Sequence, residues 1–489
     1  MRNGRYAVMA MRRTILPCFA VTLLALPAVV VACGTDAPGG ATTATSPDGG
    51  DGTDSSVPTP GTGIDASALP LAAGDPCRGI PLPVDQHHVP GGMCASVVAS
   101  ALGAIRQLTF APNGDLFGVT AGGAIKRFRD ADGDGFFQLG EISTYAQTGG
   151  NGNNCHIDVA NGYLYAGTTS GVKRWPYSPT ATDGGAGEDV VTGQPATGHS
   201  KHTVHVYDGY LYVQSGSSSN ASDPKSPEYD DERSLIRRFQ LSGFNPATPF
   251  AWLSGEVVTK GLRNANGFTK NAAGRMYAVV NGLDDISYGG QNVHNDNPGE
   301  QVVEIAMGKA YGYPYCFTAQ RVIAAGQVVT PGTQLQFGTV HDDAWCATHS
   351  SPPATFIQAH SAPLDITFFD DHPRGALPER FRGGAFVALH GSWNRSPATG
   401  YKVIWIPFDA SGKAPMPTSS MTETTFPYEV VLGGGDAAAP ADGAWSWVSG
   451  DYSDQPRFAG VAISPIDGAL YAASDSGGYI YRVGQPKSP

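Results

Sequence analysis

The chain has 489 residues, of which 41% are hydrophobic and 15% charged, and it contains 64 glycines and 37 prolines. This length and apolar content are sufficient for a large core, and the glycine and proline content is typical of a turn-rich all-β protein. The formal net charge of −12 argues against nucleic acid or an anionic membrane surface as partner, so an anionic ligand would need a local cluster of arginine and lysine.

Residues 1–33 are predicted to be an export signal rather than part of the fold. Four arginines precede an apolar run from Ile15 to Val31, which leads into a lipobox-like Val-Val-Ala-Cys33 sequence. We expect cleavage before Cys33 and lipid attachment to its thiol, giving an exported lipoprotein anchored to a membrane and facing the periplasm or the cell surface. An uncleaved anchor is the alternative, because the run is at the lower edge of spanning length.

Two further segments follow the signal. Residues 34–68 are rich in Gly, Ser, Thr, Pro and Asp, a composition that cannot bury a core, and they are predicted to be a flexible tether. Residues 69–489 are predicted to form the globular domain.

Five of the seven cysteines lie beyond the signal and the lipobox, and export makes disulfide bonds permissible. We expect Cys316 to pair with Cys346 across a loop-like segment, and Cys77 with Cys94 as the next pair. Cys155 is then left over, and the odd count keeps this assignment open.

A strand–turn–strand phrase recurs along the domain. In Gly198–Asn220, alternating residues turn at Asp208-Gly209 and leave through an apolar–aromatic strand, as in an antiparallel hairpin. Six such units predict an all-β fold, a six-bladed β-propeller, because they share a local phrase that the strands of the alternative β-sandwich need not share. The other units lie near Phe117, Tyr165, Tyr277 and Tyr471, and in a turn-poor pair beginning at Gly383 and Tyr401.

An acidic loop from Asp130 to Glu141 satisfies the pattern D-x-D-x-D-G followed five residues later by Glu. Oxygen ligands at alternate positions, a glycine at the sharp turn and a closing glutamate are what Ca²⁺ requires. The flanks read as strands, so we expect a structural Ca²⁺ between two propeller strands rather than a helix–loop–helix; a metal-free acidic turn is the alternative. The expected ligands are Asp130, Asp132, Asp134, the Phe136 carbonyl and Glu141.

Three histidines, His199, His202 and His205, are spaced three residues apart. On a strand this spacing alternates faces, so the three cannot converge on one metal ion. His205 lies within the strand and is expected to pack. His199 precedes the strand, where propeller loops face the central channel, and is either a base or a hydrogen-bonded structural residue.

Polar and cationic residues also lie just outside the strands of several other units. Cations gathered from different units of an acidic protein predict a pocket for a small anion, although each alone could be a loop-bracing residue. These candidates are Arg263, Asn264, Asn281, Gly282, His360, Arg395 and Arg457.

Several phrases of the chain resemble one known family. QAHSAPLDITFF, GLRNANGF, YGYPYC and the closing RFAGVAISPIDGALYAASDSGGYIYRV are similar to the glucose/sorbosone dehydrogenases, soluble quinoproteins that use pyrroloquinoline quinone (PQQ). The resemblance extends from about Arg106 to Val483, and HGSWNRSPATGY places the chain nearer the sorbosone branch. It implies a six-bladed propeller with the quinone across the channel mouth.

The resemblance also implies roles for individual residues. His199 matches the catalytic base, and Arg263 with Asn264 matches the pair that contacts the quinone oxygens and the reacting carbon. The Asn281-Gly282-Leu283 loop would hold a second Ca²⁺ against the cofactor through backbone carbonyls. Further cofactor ligands are expected among His360, Arg457 and either Arg395 or Lys402. Three features depart from the pattern: His202 and Ala459 stand where arginines are usual, and YGYPY replaces a phrase that usually contains tryptophan.

The implied activity is oxidation of a sugar, sugar aldehyde or polyol by hydride transfer to the quinone. His199 would accept the hydroxyl proton, while Arg263 and Ca²⁺ stabilise charge on the quinone oxygen. The chain has no C-x-x-C-H haem motif, so electrons would leave to a separate acceptor, a quinone or a cytochrome. The alternatives are a lactonase-type propeller hydrolase with a channel calcium and a cofactor-free, surface-anchored binding propeller.

Overall fold

The computed structural model describes residues 77, 79–82, 87–150, 156–221, 229–370, 376–417, 426–434 and 456–486. All of them belong to one compact unit, Thr45–Pro489. The predicted signal, Cys33, the tether and Cys155 lie outside the described residues. Within the described part of the chain, no helix combines the length and the apolar character needed to cross a membrane.

Six antiparallel sheets follow one another along the chain as the blades of a β-propeller, and each has four main strands. Blades 1 to 3 consist of Ile105–Phe110, Leu116–Thr120, Ala124–Phe128 and Ile142–Gln147; Ile157–Ala160, Tyr163–Thr168, Gly171–Pro176 and Glu188–Thr192; and Val204–Tyr207, Tyr210–Ser215, Leu235–Gln240 and Glu256–Lys260. Blades 4 to 6 consist of Asn264–Lys270, Met276–Asn281, Glu300–Ile305 and Thr355–Ile357; Pro363–Phe368, Ala385–Leu389, Lys402–Ile406 and Glu429–Gly434; and Phe458–Ile463, Leu470–Ser474, Tyr479–Gly484 and Cys94–Ala99.

Shorter elements extend these sheets or lie in loops. Two-residue strands pair with the edges of four blades: Phe250–Ala251, Lys309–Ala310, His87–His88 and Ile80–Pro81 on blades 2, 3, 5 and 6. Three small hairpins pair Ser287–Tyr288 with Gln291–Asn292, Cys316–Thr318 with Gln334–Gln336, and Ile323–Ala324 with Gln327–Val328. The described helices are the α-helix Asp343–His349 and the 3₁₀ turns Leu139–Glu141, Leu241–Gly243, Trp252–Ser254, His294–Asp296 and Glu379–Phe381.

The predicted hairpin units fall one in each blade, so the six-bladed propeller is confirmed and the sandwich is wrong. In blade 3, Val204 pairs with Val213 and Tyr207 with Tyr210 around a two-residue turn. Asp208 and Gly209 have φ of 52° and 79°, the positive values that a type I′ turn requires at both central positions. The turn residues therefore fix the strand register that the sequence predicts.

The first and last parts of the domain share a sheet. Cys94–Ala99 pairs antiparallel with Tyr479–Gly484, with Cys94 opposite Gly484, and thereby completes blade 6 and closes the ring. The predicted Cys77–Cys94 disulfide is confirmed at the start of this closing strand.

The hydrophobic core lies between the faces of adjacent blades. Between blades 1 and 2, for example, Phe117 and Ile125 pack with Leu164 and Ala166, and all four are fully buried. Burying one such side chain contributes about 1.5–3 kcal/mol, so each blade is held mainly by its two neighbours. The inner strands also approach closely, since a Cβ at Gly460 would lie 2.2 Å from the Arg106 carbonyl oxygen.

A segment inserted between the last two strands of blade 4 covers part of one propeller face. Its small core includes Tyr313, Phe317 and Leu335, which pack with Leu283. The Cys316–Cys346 disulfide, confirmed as predicted, ties one of its strands to the α-helix. The helix begins after Asp342, whose side chain accepts a hydrogen bond from the Trp345 N–H, a normal N-cap interaction.

Candidate functional site

The candidate site lies where the six inner strands begin. Antiparallel blades of equal topology run their inner strands in one direction, so the residues that precede these strands gather at one opening of the channel, which we call the upper mouth. Four inner strands have a bulge near this end, at Ile105/Leu108, Ala265/Gly267, Pro363/Asp365 and Phe458/Gly460. Bulges re-aim side chains and are common beside active sites.

His199 is buried and held in one tautomer. Its Nδ1 lies 2.6 Å from Ser217 Oγ, and that hydroxyl donates to the Ser219 carbonyl at 2.8 Å. Because the hydroxyl proton is already used, His199 Nδ1 must donate, and the lone pair of the neutral ring lies on Nε2. Burial, and next the Arg263 charge, lower the pKa of His199 well below its ordinary value, so the ring is neutral at pH 7.

Arg263 lies beside His199, because the Ser217 backbone joins both. The Ser217 N–H donates to the Arg263 carbonyl at 2.8 Å, and the Ser217 carbonyl accepts from the His199 N–H at 2.8 Å. The Arg263 guanidinium donates to Asn220 at 3.1 Å and to Asp284 Oδ2 at 3.2 Å. The residues predicted as base and charge stabiliser are therefore neighbours at the upper mouth.

Asp284 is a buried carboxylate with partners on several loops. Asn394 Nδ2 donates to its Oδ1 at 2.8 Å, and His360 Nδ1 lies 3.5 Å from the same oxygen. Burial raises the pKa of Asp284, but His360 and Arg263 outweigh burial, so this pKa is well below its ordinary value. The carboxylate is consequently ionised and balances the Arg263 charge.

Asp284, His360 and His294 together have the residue types of a metal site, with ligand atoms within 4.8 Å of one another. His294 Nδ1, however, accepts a hydrogen bond from the Asp285 N–H at 3.0 Å, and its Nε2 lies 3.2 Å from the Asn394 carbonyl. Both nitrogens of this ring are engaged by backbone groups. A metal held by this triad is therefore disfavoured.

Glu300 supports the loop that is predicted to hold Ca²⁺. Its Oε2 accepts from the Gly282 N–H at 2.7 Å, and its Oε1 accepts from the Ala362 N–H at 3.3 Å. Burial raises the pKa of Glu300 to about 7. Leu283 packs its side chain in the core of the inserted segment, which anchors the loop. The ligand that this residue offers to a metal is its backbone carbonyl.

A small cavity of about 20 Å³ opens between these groups at the upper mouth, and we call it the mouth cavity. The side-chain oxygens of Asn264 and Asn394 are buried there and have no hydrogen-bond partner among the described residues. Unsatisfied buried oxygens beside a carboxylate are suited to a hydrogen-bond donor or to Ca²⁺, which prefers hard oxygen ligands. The walls of the mouth cavity include Arg263, Asn264, Gly282, Asp284, Glu300 and Trp393.

A second polar cluster joins blades 5, 6 and 1. His390 Nε2 donates to Asp475 at 2.8 Å, and its Nδ1 accepts from Arg457 Nη2 at 3.0 Å. Arg106 Nε also donates to Asp475, at 2.8 Å. Burial and the Arg457 charge lower the pKa of His390 to about 4, so this cluster places two arginines around a neutral imidazole and one carboxylate.

The structure brings together most of the residues predicted for the site. Asn281 and His360 line the mouth cavity, and Lys402 is fully buried on a blade-5 strand. The Arg395 guanidinium instead braces its own loop, donating to the carbonyls of Asn295 and Pro397 at 3.0 and 2.6 Å. His202 bonds the Thr168 and Pro195 carbonyls, so it does not share a ligand with His199.

Several site residues escaped prediction, namely Arg106, Asp284, Glu300, His390 and Asp475. Each has a partner on a different blade or on a loop between blades, and a single sequence does not encode that convergence. A weak signal existed for two of them: Asp284 follows the predicted Gly282-Leu283 loop directly, and His390 opens the HGSWNRS phrase.

The acidic loop of blade 1 lies apart from the upper mouth residues in sequence and connects Ala124–Phe128 to Ile142–Gln147, as predicted. Asp130 Oδ1 accepts from the Gly133 N–H at 2.8 Å, and Glu141 Oε1 accepts from the Ala131 N–H at 2.6 Å. Oxygens of Asp130, Asp132 and Asp134 approach within 4.8 Å of one another. Burial and the Glu141 charge raise the pKa of Asp130, a cost that a bound cation would offset.

A family model described as TrAA12-like matches residues 87–486, which is most of the chain. The chain belongs to the TrAA12-like family. The chain is also similar to a pyrroloquinoline quinone-dependent pyranose dehydrogenase of Coprinopsis cinerea, 27% identical over 375 residues that cover 73% of this chain and 50% of that protein. A pyrroloquinoline quinone-dependent sugar dehydrogenase of Hypocrea jecorina is 27% identical over 350 residues, covering 67% of this chain and 76% of that protein.

A solved structure agrees with these matches. The holo form of the pyranose dehydrogenase PQQ domain from Coprinopsis cinerea has a TM-score of 0.70 and 26% identity, and the match covers 83% of this chain and 99% of that one. The predicted resemblance to quinoprotein sugar dehydrogenases is thereby confirmed. This TrAA12-like chain spans about half the length of the Coprinopsis protein.

Proposed function

We propose that this protein is a PQQ-dependent dehydrogenase that oxidises a sugar. The names of its relatives support this proposal, since they are PQQ-dependent pyranose and sugar dehydrogenases. The observation that carries it is the adjacency of neutral His199 and Arg263 at the upper mouth of a TrAA12-like propeller.

The residues at the upper mouth fit the proposed cofactor. PQQ is a tricarboxylate, and Arg457 and Arg106 of the second polar cluster offer guanidinium groups, the donors best matched to carboxylates. Gly282 and Leu283 backbone oxygens, with the unsatisfied Asn264 Oδ1, would hold Ca²⁺. When bound, PQQ supplies the two-electron oxidation by accepting a hydride.

The protein's own contribution is proton transfer, charge stabilisation and orientation. His199 Nε2 accepts the proton of the substrate hydroxyl, which a neutral imidazole at pH 7 can do. The Arg263 guanidinium, fixed by Asp284 and Asn220, stabilises negative charge that develops nearby. Since Asp284 and Asn220 hold this group before substrate arrives, little reorganisation is required during reaction.

Several finer features belong to the same proposal. The substrate is a sugar, a sugar aldehyde of the sorbosone type or a polyol, and electrons pass to a separate quinone or cytochrome. Cys33, outside the described residues, carries a lipid that anchors the exported enzyme on the periplasmic side or the cell surface. Asp130, Asp132, Asp134, Phe136 and Glu141 bind a second, structural Ca²⁺.

Titration of the protein with PQQ and Ca²⁺, followed by addition of sugars, tests the proposal. We expect absorbance changes of bound PQQ on loading and of reduced PQQ on adding an aldose. His199→Ala should retain PQQ binding and lose sugar-driven reduction by at least 10²-fold, whereas His349→Ala, on the exposed side of the surface helix, should match the wild type. Absence of PQQ binding, or sugar lactone hydrolysis without PQQ, would refute the proposal.

A further inference from the structure

Trp393 presents an exposed aromatic surface at the rim of the mouth cavity. Its side chain lines that cavity and is 40% exposed. Among the described residues it makes no ring contact and no hydrogen bond. The other described tryptophans are engaged: Trp252 and Trp405 donate to backbone carbonyls, Trp345 stacks on two histidines, and Trp175 is buried in the core between blades 1 and 2.

The loop holds Trp393 in this position from its N-terminal side. The Ser392 N–H donates to the Thr399 carbonyl at 2.8 Å, and the Thr399 N–H donates to Ser392 Oγ at 3.0 Å. The Tyr401 hydroxyl donates to the Ser392 carbonyl. The residue immediately before the tryptophan is therefore fixed by three hydrogen bonds.

The following residues are fixed as firmly, but to the cavity itself. Asn394 Nδ2 donates to Asp284 Oδ1 at 2.8 Å, and the Asn394 carbonyl lies 3.2 Å from His294 Nε2. Arg395 is braced by Asn295 and Pro397. The backbone thus sets Trp393 at a constant position relative to Asp284 and, through Asp284, to Arg263.

This arrangement combines two kinds of recognition surface. Arg263, Asp284 and the amides of the mouth cavity are hydrogen-bonding groups, while the indole is flat, apolar and rigid, with few rotatable bonds. Ligand sites combine aromatic side chains with a few convergent polar groups, so the position of this tryptophan in the lining of the polar mouth cavity indicates a binding surface. The complementary ligand has a flat C–H face and a hydroxyl-bearing edge, which describes a pyranose ring and does not describe a flexible open-chain polyol.

We propose that Trp393 is the stacking surface that selects pyranose rings over open-chain substrates. This inference rests on the proposed function, because it assigns the substrate class of the same site. Trp393 is accordingly a residue of substrate specificity, and it takes no part in proton or hydride transfer.

The test compares Trp393→Ala and Trp393→Phe with wild type in the PQQ- and Ca²⁺-loaded protein. We expect Trp393→Ala to raise KM for an aldopyranose at least tenfold with kcat changed less than threefold, because stacking is lost equally before and during reaction. KM for an open-chain polyol should change less than twofold, and Trp393→Phe should restore most of the loss. Met307→Ala, which removes an exposed apolar side chain outside the cavity lining, is the matched control.

Two binding measurements keep this proposal separate from the proposed function. Calorimetric titration of aldopyranose into wild type and Trp393→Ala measures stacking without turnover, and titration of PQQ measures cofactor affinity. Equal aldopyranose affinity in both proteins, or an equal loss for pyranose and polyol, would overturn the role of Trp393. A loss of PQQ affinity in Trp393→Ala would also overturn it, since the indole would then contact the cofactor. If wild type binds aldopyranose through Trp393 but never reduces PQQ, the dehydrogenase proposal alone fails.

Discussion

His199 shows how a residue's surroundings decide its protonation. Its Nδ1 is committed to Ser217, and burial with the Arg263 charge lowers the pKa of the ring. A base with a lowered pKa stays unprotonated as pH falls through 6.5, the ordinary value for histidine. The sequence alone left two roles open for His199, a base or a structural histidine. Its lowered pKa gives it the neutral state that a base needs.

The first prediction concerns this pH dependence. In the loaded enzyme, kcat/KM for an aldose should be flat down to pH 6.5, and its acid limb should have a midpoint below that pH, because kcat/KM reports the free enzyme's base. Steady-state rates between pH 4.5 and 8 check this. An acid limb centred at or above pH 6.5 would contradict the assignment of His199, and the same profile in the exposed-site variant His349→Ala controls for other imidazoles.

Sequence predicted the site residues unequally for a physical reason. Arg263, Asn264 and Asn281 stand at strand ends of one blade, so local pattern and resemblance were enough to group them. Asp284 and Asp475, in contrast, have partners from other parts of the propeller, His360 and His390, and no local pattern links these pairs. Arg395 was predicted as a candidate ligand because it is a cation in a loop, and in the structure its guanidinium links that loop to Asn295.

At the scale of single elements, turns were the most predictable feature. A type I′ turn requires a positive φ at both central residues, and Asp208 and Gly209 have it. The Asp-Gly pair therefore predicted this hairpin from the sequence. The inserted segment of blade 4 has no such repeat and is held by its own core and the Cys316–Cys346 disulfide. Only the disulfide was predictable there, because cysteines can be identified directly in the sequence, whereas the packing of a small core cannot.

The second prediction concerns the acidic loop. Ca²⁺ at 100 times its Kd should stabilise the protein by about 2.7 kcal/mol, so the thermal midpoint should rise on adding Ca²⁺ to chelated protein. Asp132→Ala combined with Asp134→Ala should abolish this increment, since two oxygen ligands are lost. Differential scanning calorimetry at matched ionic strength, with Mg²⁺ as the control ion, measures it.

Two Ca²⁺ sites are proposed, so the variants must separate them. The double Ala variant should still require Ca²⁺ for PQQ binding at the upper mouth, because Gly282 and Leu283 are untouched. A Ca²⁺-dependent rise in thermal midpoint that survives in this variant at full size, without PQQ, would show that the acidic loop is a metal-free turn.

Across the whole molecule, stability depends on closure of the ring. Cys94–Ala99 is held in blade 6 by pairing with Tyr479–Gly484, and the Cys77–Cys94 bond links the first residue of this strand to the preceding segment across a separation of 17 residues. A disulfide that closes a loop of this size contributes roughly 3 kcal/mol. The bond therefore lies at the start of the strand that closes the ring.

The third prediction is that Cys77→Ser with Cys94→Ser lowers the free energy of unfolding by roughly 3 kcal/mol. Urea denaturation followed by tryptophan fluorescence measures the loss. Wild type in reductant lacks both described disulfides, so its free energy of unfolding should be matched only when the Cys316–Cys346 bond is removed from the variant as well. Stability equal to that of oxidised wild type would show that strand pairing alone closes the ring.

Closure by the first strand also has a consequence for biosynthesis. While a ribosome makes this chain, residues 94–99 emerge several hundred residues before their partner strand 479–484. Until then the nascent chain carries a strand with unpaired backbone groups, which is a site for wrong pairing between molecules. A chain truncated shortly before Tyr479 would keep five blades and still lack a closed ring, so quality control should recognise such fragments as unfinished.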